Sequence, residues 1–218
     1  MSKGKLIVIE GIDGSGKTTQ LNLLAKYLAK KNTSFEVISF PRYEDNLYGK
    51  LIRRYLNGEF GEIEKIDPYL MSLAYAGDRI LAKPLIENWL LEGKIVIANR
   101  YVSSNKAHMG ANLDENQREE FMSWLDELEY QTNKVPQENL TFLLNVEAKI
   151  GQQNVRGEHK DIHEQDLNHL KVAQDLFLEL SKAEPNWKVI ECMEGGKMKS
   201  IETIHKLIVE ILDKFLLS

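Results

Sequence analysis

The sequence predicts an α/β fold in which helices cover a parallel sheet on both faces. Short apolar segments alternate with longer helix-patterned segments along the chain, and this alternation is typical of βαβ units. The predicted strands are residues 6–9, 35–40, 94–98, 140–146 and 187–191. Several of them are apolar almost throughout, as expected of parallel strands that are buried on both faces.

Helical patterns separate and follow these strands. The predicted helices are residues 19–31, 49–57, 68–92, 116–131, 161–182 and 200–217. Pro84 lies inside the third of them, and we expect it to kink or split that helix because proline lacks a backbone N–H. Neither an internal repeat nor a linker composition interrupts the pattern, so we expect a single domain over residues 1–218.

The composition favours a globular protein without a membrane span. Hydrophobic residues make up 43% of the 218 residues and charged residues 28%, and no apolar run approaches the ~20 residues that a spanning helix needs. The net charge of −5 argues against a nucleic-acid partner, which would require a basic surface. Cys192 is the only cysteine, and the first strand begins almost at once, without room for a signal sequence. We therefore expect a cytoplasmic location.

The octapeptide GIDGSGKT at residues 11–18 matches the phosphate-binding pattern G-x-x-x-x-G-K-[ST] in full. It follows a predicted strand and leads into a predicted helix, which is the context that this motif requires. Glycines let successive N–H groups face an anion, and the helix start adds further donors. Lys17 would reach the outer phosphates, and the Thr18 hydroxyl would ligate Mg²⁺. The loop thus predicts a site for a nucleoside triphosphate, formed by Gly11, Gly14, Ser15, Gly16, Lys17, Thr18 and Thr19.

The segment at residues 148–162 is polar and carries two glycines. Its position between a strand and a long helix is typical of a lid that closes over phosphates. Composition alone equally allows a plain surface loop.

Three arginines follow strands or lie on a helix near the strand ends. Arg42 ends the triplet FPR, Arg79 ends the segment YAGDR, and Arg100 is the centre of NRY, which the triplet SSN soon follows. Ligands of open α/β folds bind at the carboxyl edge of the sheet, so these arginines indicate a second anionic substrate facing the first. From the residues alone, Arg42 could instead be merely exposed, Tyr75 a core residue and Asp78–Arg79 a surface ion pair.

These segments together resemble the thymidylate kinases. The phosphate loop, FPR, YAGDR, NRY-x-SSN and the helix at residues 161–180 occur in one order over residues 5 to about 217, which is far more specific than the loop alone. The resemblance implies the nucleoside monophosphate kinase fold of the P-loop NTPases, with a five-stranded parallel sheet and a small lid. It also implies transfer of the γ-phosphoryl group of ATP to dTMP with Mg²⁺, and a homodimer.

The resemblance further implies roles for individual residues on the acceptor side. Arg42 would bind the phosphate of dTMP, and Asp13 would face the deoxyribose 3′-hydroxyl close to the metal. Tyr75 would stack on the thymine ring, and Arg79 would hydrogen-bond its edge. Ser104 would help to orient the base, with Tyr101 close by.

The implied catalytic residues are Lys17, Arg100, Asp13 and Arg156. Arg100 would clamp phosphate oxygens, and Arg156, with Lys160, would close over the transferring group from the lid. The implied metal ligands are Thr18, Asp13 and Glu164. Glu10, by contrast, is expected to brace the loop through hydrogen bonds, and His108 is expected to be a neutral packing or hydrogen-bonding residue rather than a catalytic base.

The sequence departs from the family pattern at three positions. Asn99 stands where the third strand normally ends in Asp, and its missing charge predicts weaker Mg²⁺ binding or slower turnover unless Asp13, Glu10 or Glu164 compensates. Met109 stands where many bacterial members carry Gln, which makes thymine selectivity less secure. Gly14 stands where some members place an arginine, an arrangement in which the lid arginine supplies the positive charge.

Two alternatives to a thymidylate kinase follow from these departures. The first keeps the fold and takes another acceptor, such as dUMP, CMP or a nucleoside, although Arg42 disfavours an acceptor without a phosphate. The second is a nucleotide-binding protein with impaired catalysis, in which Asn99 marks the loss. The presence of Lys17, Thr18, Arg42 and Arg100 argues against it.

Overall fold

A computed structural model describes residues 4–61, 65–155 and 166–217. It contains the predicted five-stranded sheet, all parallel, in the order β2-β3-β1-β4-β5. The strands are β1 (Lys5–Glu10), β2 (Phe35–Ser39), β3 (Ile95–Asn99), β4 (Leu140–Asn145) and β5 (Trp187–Glu191). The fold prediction is thus confirmed, and the predicted strand bounds differ from these by one residue at most.

The helices lie on both faces of this sheet. They are α1 (Lys17–Lys30), α2 (Leu47–Leu56), α3 (Pro68–Leu91), α4 (Val102–Gly110), α5 (Glu115–Asp126), α6 (Ala148–Asn154), α7 (Leu167–Ala183) and α8 (Ile201–Leu217). A π-helix, Glu127–Thr132, continues α5, and a short hairpin of β6 (Met193–Glu194) and β7 (Lys197–Met198) precedes α8. Helices α4 and α6 and this hairpin were not expected. Residues 161–165 of the predicted sixth helix lie outside the described ranges.

Strand β1 divides the core into two halves. Leu6 and Val8 pack on the side of α3, whereas Ile7 and Ile9 pack on the side of α1 and α8, because alternate residues of a strand face opposite sides of the sheet. A third cluster lies under α7 and contains Phe177. Strand β1 is buried on both faces, so the residues at its carboxyl end are held rigidly.

Helix α3 runs without a break through Pro84, so the expectation of a split was wrong. Asp67 caps its first turn by accepting a hydrogen bond from Tyr69 N at 2.7 Å, and Pro68 occupies the first helical position. Ala82 and Ile86, on either side of Pro84, are buried in the core. This packing on both sides of the proline outweighs the loss of one helical hydrogen bond.

No helix within the described ranges combines the length and the apolar character needed to cross a membrane.

A buried ion pair joins α3 to the π-helix. Arg79 is 2% exposed and Glu129 is 0% exposed, and Arg79 Nε donates to Glu129 Oε1 at 2.9 Å while Nη2 donates to the same oxygen. Burial by itself would lower the pKa of Arg79, but the Glu129 carboxylate raises it above its usual value. Asp78 is also buried and pairs with Arg42. The possibility of a surface ion pair between Asp78 and Arg79 is therefore wrong, since each has a partner elsewhere.

We expect Glu129→Gln to lower the free energy of unfolding by about 3–5 kcal/mol, because it leaves a buried guanidinium without its counter-charge. Chemical denaturation of the variant and the wild type measures this difference. Glu59→Gln is the matched control, since Glu59 accepts from Arg54 Nε at 2.8 Å in an exposed pair whose loss should cost less than about 1 kcal/mol. Equal losses in the two variants would contradict a structural role of the buried pair.

Candidate active site

The predicted site residues converge at the carboxyl ends of β1, β2 and β3. The phosphate loop follows β1, Arg42 follows β2 and Arg100 follows β3. Strand β1 has β3 on one side and β4 on the other, so the chain reverses its winding direction there. Such a switch point opens a crevice at the strand ends.

The phosphate loop turns directly into α1. Gly16 precedes the helix with φ 92° and ψ 13°, a left-handed conformation that glycine adopts without a steric penalty. Ser15 N donates to Ile12 O at 3.2 Å and closes the turn. Lys17 Nζ lies over the loop and donates to Gly11 O at 2.9 Å and to Ile12 O at 2.8 Å. The loop is therefore held in a compact form by its own lysine.

Helix α6, in the first half of the predicted lid, packs against this loop. A Cβ atom at Gly14 would come within 1.9 Å of Gly151 O, so the two backbones approach too closely for any side chain. Asn154 Nδ2 also donates to Gly14 O at 3.2 Å. The absence of an arginine at position 14 thus has a packing reason. Residues 156–165, including Arg156, Lys160 and Glu164, lie outside the described ranges.

A cleft lies over the loop and is lined by residues 13–20 together with Asn99, Arg100, Asn154 and Val155. It includes the exposed Thr18 and Thr19 side chains. Among the described residues, Asn99 Oδ1 and Ser15 Oγ are buried without a hydrogen-bond partner. Since buried polar atoms are normally satisfied, these two oxygens favour a ligand that contacts them in the cleft.

An ion pair between Asp13 and Arg100 connects the loop to the end of β3. Arg100 Nη2 donates to Asp13 Oδ1, and Lys17 Nζ lies 3.9 Å from the same oxygen. Burial alone would raise the pKa of Asp13, but Arg100 and Lys17 hold it well below its usual range. Arg100 itself has φ 64°, a left-handed conformation that is unfavourable for a residue with a side chain.

Glu10 organises the start of α4. Its Oε1 accepts from Tyr101 N at 2.8 Å and from Ser104 N at 3.2 Å, and its Oε2 accepts from Ser104 Oγ at 2.6 Å. These bonds satisfy N–H groups that a helix start leaves unpaired. Glu10 does brace through hydrogen bonds, as expected, but it braces α4 rather than the phosphate loop. Burial raises its pKa, against the lowering effects of the Ser104 hydrogen bond and the Arg100 charge.

A second cavity adjoins the cleft and has an aromatic lining. Its walls include Phe40, Tyr43, Tyr75, Tyr101 and Met109, and its polar lining includes Asp13, Arg79, Arg100, Ser104, Asn105 and His108. Asp13 and Arg100 line both the cavity and the cleft. The two spaces therefore meet at this ion pair.

Most of the predicted acceptor residues lie on this cavity, but Arg42 is held to one side. Its Nε donates to Asp78 Oδ1 at 2.9 Å and its Nη2 donates to Asp78 O at 2.9 Å, while its neighbours Pro41 and Tyr43 line the cavity. Tyr101 is 1% exposed, and its hydroxyl donates to Pro136 O at 3.0 Å.

Asn105 was not among the predicted site residues. It is 2% exposed and lines the cavity, and within the described part of the chain its Nδ2 atom has no hydrogen-bond partner. The signal was present in the SSN triplet, but only the tertiary structure shows that this amide turns toward the cavity while Ser103 does not line it. An unsatisfied buried donor beside aromatic rings suits the carbonyl edge of a planar base.

Comparisons with known proteins agree with this geometry. A family model for thymidylate kinase matches residues 9–208. A probable thymidylate kinase of Thermococcus kodakarensis is 32% identical over 96% of this chain and 98% of its own length. One of Methanocaldococcus jannaschii is 34% identical over 97% of both chains, and the thymidylate kinase of Mycobacterium tuberculosis is 32% identical over 70% of this chain and 71% of its own length.

The fold also matches a solved structure. The thymidylate kinase of Candida albicans superposes with a TM-score of 0.79 at 23% identity, covering 98% of this chain and 93% of that one. The family match agrees with the phosphate loop, the cleft and the cavity, and it shows that this chain belongs to the thymidylate kinase family.

Proposed function

We propose that this protein transfers the γ-phosphoryl group of ATP to dTMP and so produces ADP and dTDP. The observation that carries this proposal is the meeting of a phosphate-loop cleft and an aromatic cavity at Asp13 and Arg100. A phosphoryl transfer needs a donor and an acceptor in line, with positive charge at the transferring group. The names of the relatives support the choice of dTMP as acceptor.

ATP would bind in the cleft with its phosphates on the loop and on the first turn of α1. Backbone N–H groups and the helix dipole favour the anion there. Lys17, now bonded to the carbonyls of Gly11 and Ile12, would exchange at least one of these contacts for the outer phosphates. Arg100 and Arg156 would stabilise the charge that spreads over the transferring oxygens.

The acceptor nucleotide would occupy the aromatic cavity. Tyr75 would stack on thymine, and Arg79 and Asn105 would donate hydrogen bonds to its edge. Arg42, oriented by Asp78, would bind the acceptor phosphate through its planar guanidinium. Asp13 would accept a hydrogen bond from the 3′-hydroxyl, with Ser104 and Tyr101 completing the wall.

The described residues of the cleft fit Mg²⁺, which prefers oxygen ligands and is usually held by one or two carboxylates together with substrate phosphates. Asp13 remains anionic, the Thr18 side chain is exposed in the cleft, and Asn99 has an unpartnered oxygen. Glu164 would add a carboxylate. When bound, Mg²⁺ would neutralise charge on the β- and γ-phosphate oxygens.

We expect strong ADP release from ATP and Mg²⁺ with dTMP, and little release with dUMP, dCMP, CMP, AMP, GMP or thymidine. A coupled assay over this panel measures the rate of ADP release. Turnover with another acceptor alone would show that this other nucleotide, and not dTMP, is the substrate, and ATP binding without any turnover would indicate impaired catalysis.

We expect Lys17→Ala to lower kcat with dTMP on the order of 10²–10³-fold, since it removes a donor to the transferring group. The variant also loses the contacts of Lys17 with Gly11 O and Ile12 O. Substantial remaining turnover would contradict the assigned role of Lys17.

We expect Asn99→Asp to tighten Mg²⁺ binding to the ADP complex by about tenfold, or about 1.4 kcal/mol. A carboxylate near a divalent ion gains Coulomb energy that an amide lacks, and an intervening water reduces the gain. Calorimetric titration of the ADP complex with Mg²⁺ gives this affinity without relying on turnover. Asn145→Asp, at the end of β4, introduces the same charge outside the cleft lining. Equal effects of both substitutions would place Asn99 away from the metal.

The second copy of a homodimer would pack on the exposed face of α3. Leu70, Leu73, Ile80, Leu81 and Leu85 are 38–67% exposed there, at helical spacing along the helix. Tyr48 and Leu51 of α2 extend the same apolar groove. Such a contiguous stripe is typical of an interface rather than of a solvated surface, and a self-complementary helix face suits a twofold axis.

The proposed location is the cytoplasm, in line with the single buried cysteine.

We expect Leu73→Glu to shift the protein from dimer to monomer at micromolar concentration, because the charge would have to be buried at the interface. Sedimentation velocity distinguishes the two masses. Leu217→Glu is the matched control, since Leu217 is 88% exposed at the end of α8. A wild-type protein that sediments as a monomer would refute the dimer.

A further inference from the structure

Two buried histidines lie beside Arg100 and are not used in the proposed function. His108 of α4 is 8% exposed and His169 of α7 is 5% exposed. Their ring planes are 22° apart and their centroids 5.7 Å apart, so the two rings meet edge to edge through Nδ1 of His108 and Nε2 of His169, and Phe177 of α7 packs edge-on against His108. The pair thus joins two helices directly behind the arginine.

A chain of polar contacts runs from Arg100 through both rings. Arg100 Nη1 lies 3.0 Å from His108 Nε2, and His108 Nδ1 lies 3.4 Å from His169 Nε2. His169 Nδ1 lies 2.9 Å from Asn112 Oδ1. Both nitrogens of each ring therefore have a polar neighbour.

The direction of this chain follows from its first member. A guanidinium has only donors, so His108 Nε2 accepts from Arg100 and the proton of the neutral ring is on Nδ1. His108 Nδ1 then donates to His169 Nε2, and His169 Nδ1 donates to Asn112 Oδ1. A proton on both nitrogens of His108 would set two donors against each other at Arg100. Burial, which lowers the pKa of His169 to about 4, agrees with a neutral ring in this chain.

Arg100 is held at both of its terminal amino groups. Nη2 donates to Asp13, while Nη1 donates to Ser104 Oγ at 3.2 Å and to His108. Without the acceptor on His108, the guanidinium would keep its ion pair with Asp13 and the 3.2 Å contact with Ser104 Oγ, but it would lose the shorter of its two contacts at Nη1. Stabilisation of developing charge depends on donors that are already in place before the reaction.

We propose that His108 is a positioning residue for Arg100, and that His169 and Asn112 further stabilise the His108 tautomer that accepts from the guanidinium. This inference rests on the proposed function, in which Arg100 contacts the transferring phosphoryl group. His108 acts through Arg100 and does not exchange a proton with the substrate.

The tautomers provide a test that does not need substrate. Long-range ¹H–¹⁵N correlation spectra of the full chain at neutral pH should show both His108 and His169 with the proton on Nδ1. In His169→Phe, His108 loses the acceptor of its Nδ1 proton while Arg100 remains, and the fraction of the Nδ1-protonated tautomer should fall. A His108 ring protonated on Nε2 in the wild type would overturn the inference, whether or not the enzyme acts on dTMP.

The kinetic test compares two substitutions of one residue. His108→Phe removes the acceptor, and kcat should fall about tenfold to a hundredfold, with the KM for ATP changed less than about twofold. His108→Gln places an amide oxygen where Nε2 was and should restore most of kcat. The NMR resonance of the Arg100 guanidinium N–H groups should broaden in His108→Phe, because the group becomes less ordered, and it should stay sharp in His108→Gln.

Phe177→Leu is the matched control, because it changes the packing of His108 without removing a hydrogen bond; its kcat should stay close to that of the wild type. Equal losses of kcat in His108→Phe, His108→Gln and Phe177→Leu would show that the site needs only packing at this position and would overturn the inference. A wild-type protein that releases no ADP with dTMP would refute the proposed function alone. The histidine tautomers and the NMR resonance of Arg100 would still decide whether His108 positions the guanidinium.

Discussion

The ion pair between Asp13 and Arg100 is the contact on which the arrangement of the site depends. It joins the end of β1 to the end of β3, two neighbouring strands whose register is set by their parallel ladder. Arg100 N donates to Ile9 O at 3.0 Å and so extends that ladder by one residue. The side chains that divide donor space from acceptor space are therefore aligned by backbone hydrogen bonds in the most buried part of the fold.

Glu10 provides a second level of support from inside the protein. A fully buried carboxylate is costly unless it is hydrogen-bonded, and Glu10 meets this requirement by accepting two N–H groups at the start of α4 and the Ser104 hydroxyl. The same contacts direct α4 so that Asn105, His108 and Met109 face the cavity. One side chain at a strand end thus orients a whole wall of the acceptor site.

Close backbone packing also shapes the donor side. Gly14 and Gly151 permit α6 to lie directly on the phosphate loop. A larger side chain at either glycine would separate the two backbones. The absence of an arginine in the loop and the presence of a short helix at the start of the predicted lid are two results of one packing contact.

The sequence by itself determined the sheet, the phosphate loop, the family and six of the thirteen described residues that line the cavity, because strand periodicity and loop motifs are local and have a physical meaning at each position. It did not predict α4 or the unbroken α3, since a helix through Pro84 is stabilised by burial of Ala82 and Ile86 against distant strands. Nor did it identify the partners of Arg79 and Arg42, or the contact of His108 with His169, which is 61 residues away along the chain. Such contacts were decided only by the tertiary structure, because side-chain direction and charge pairing depend on elements that are far apart in the chain and adjacent only after folding.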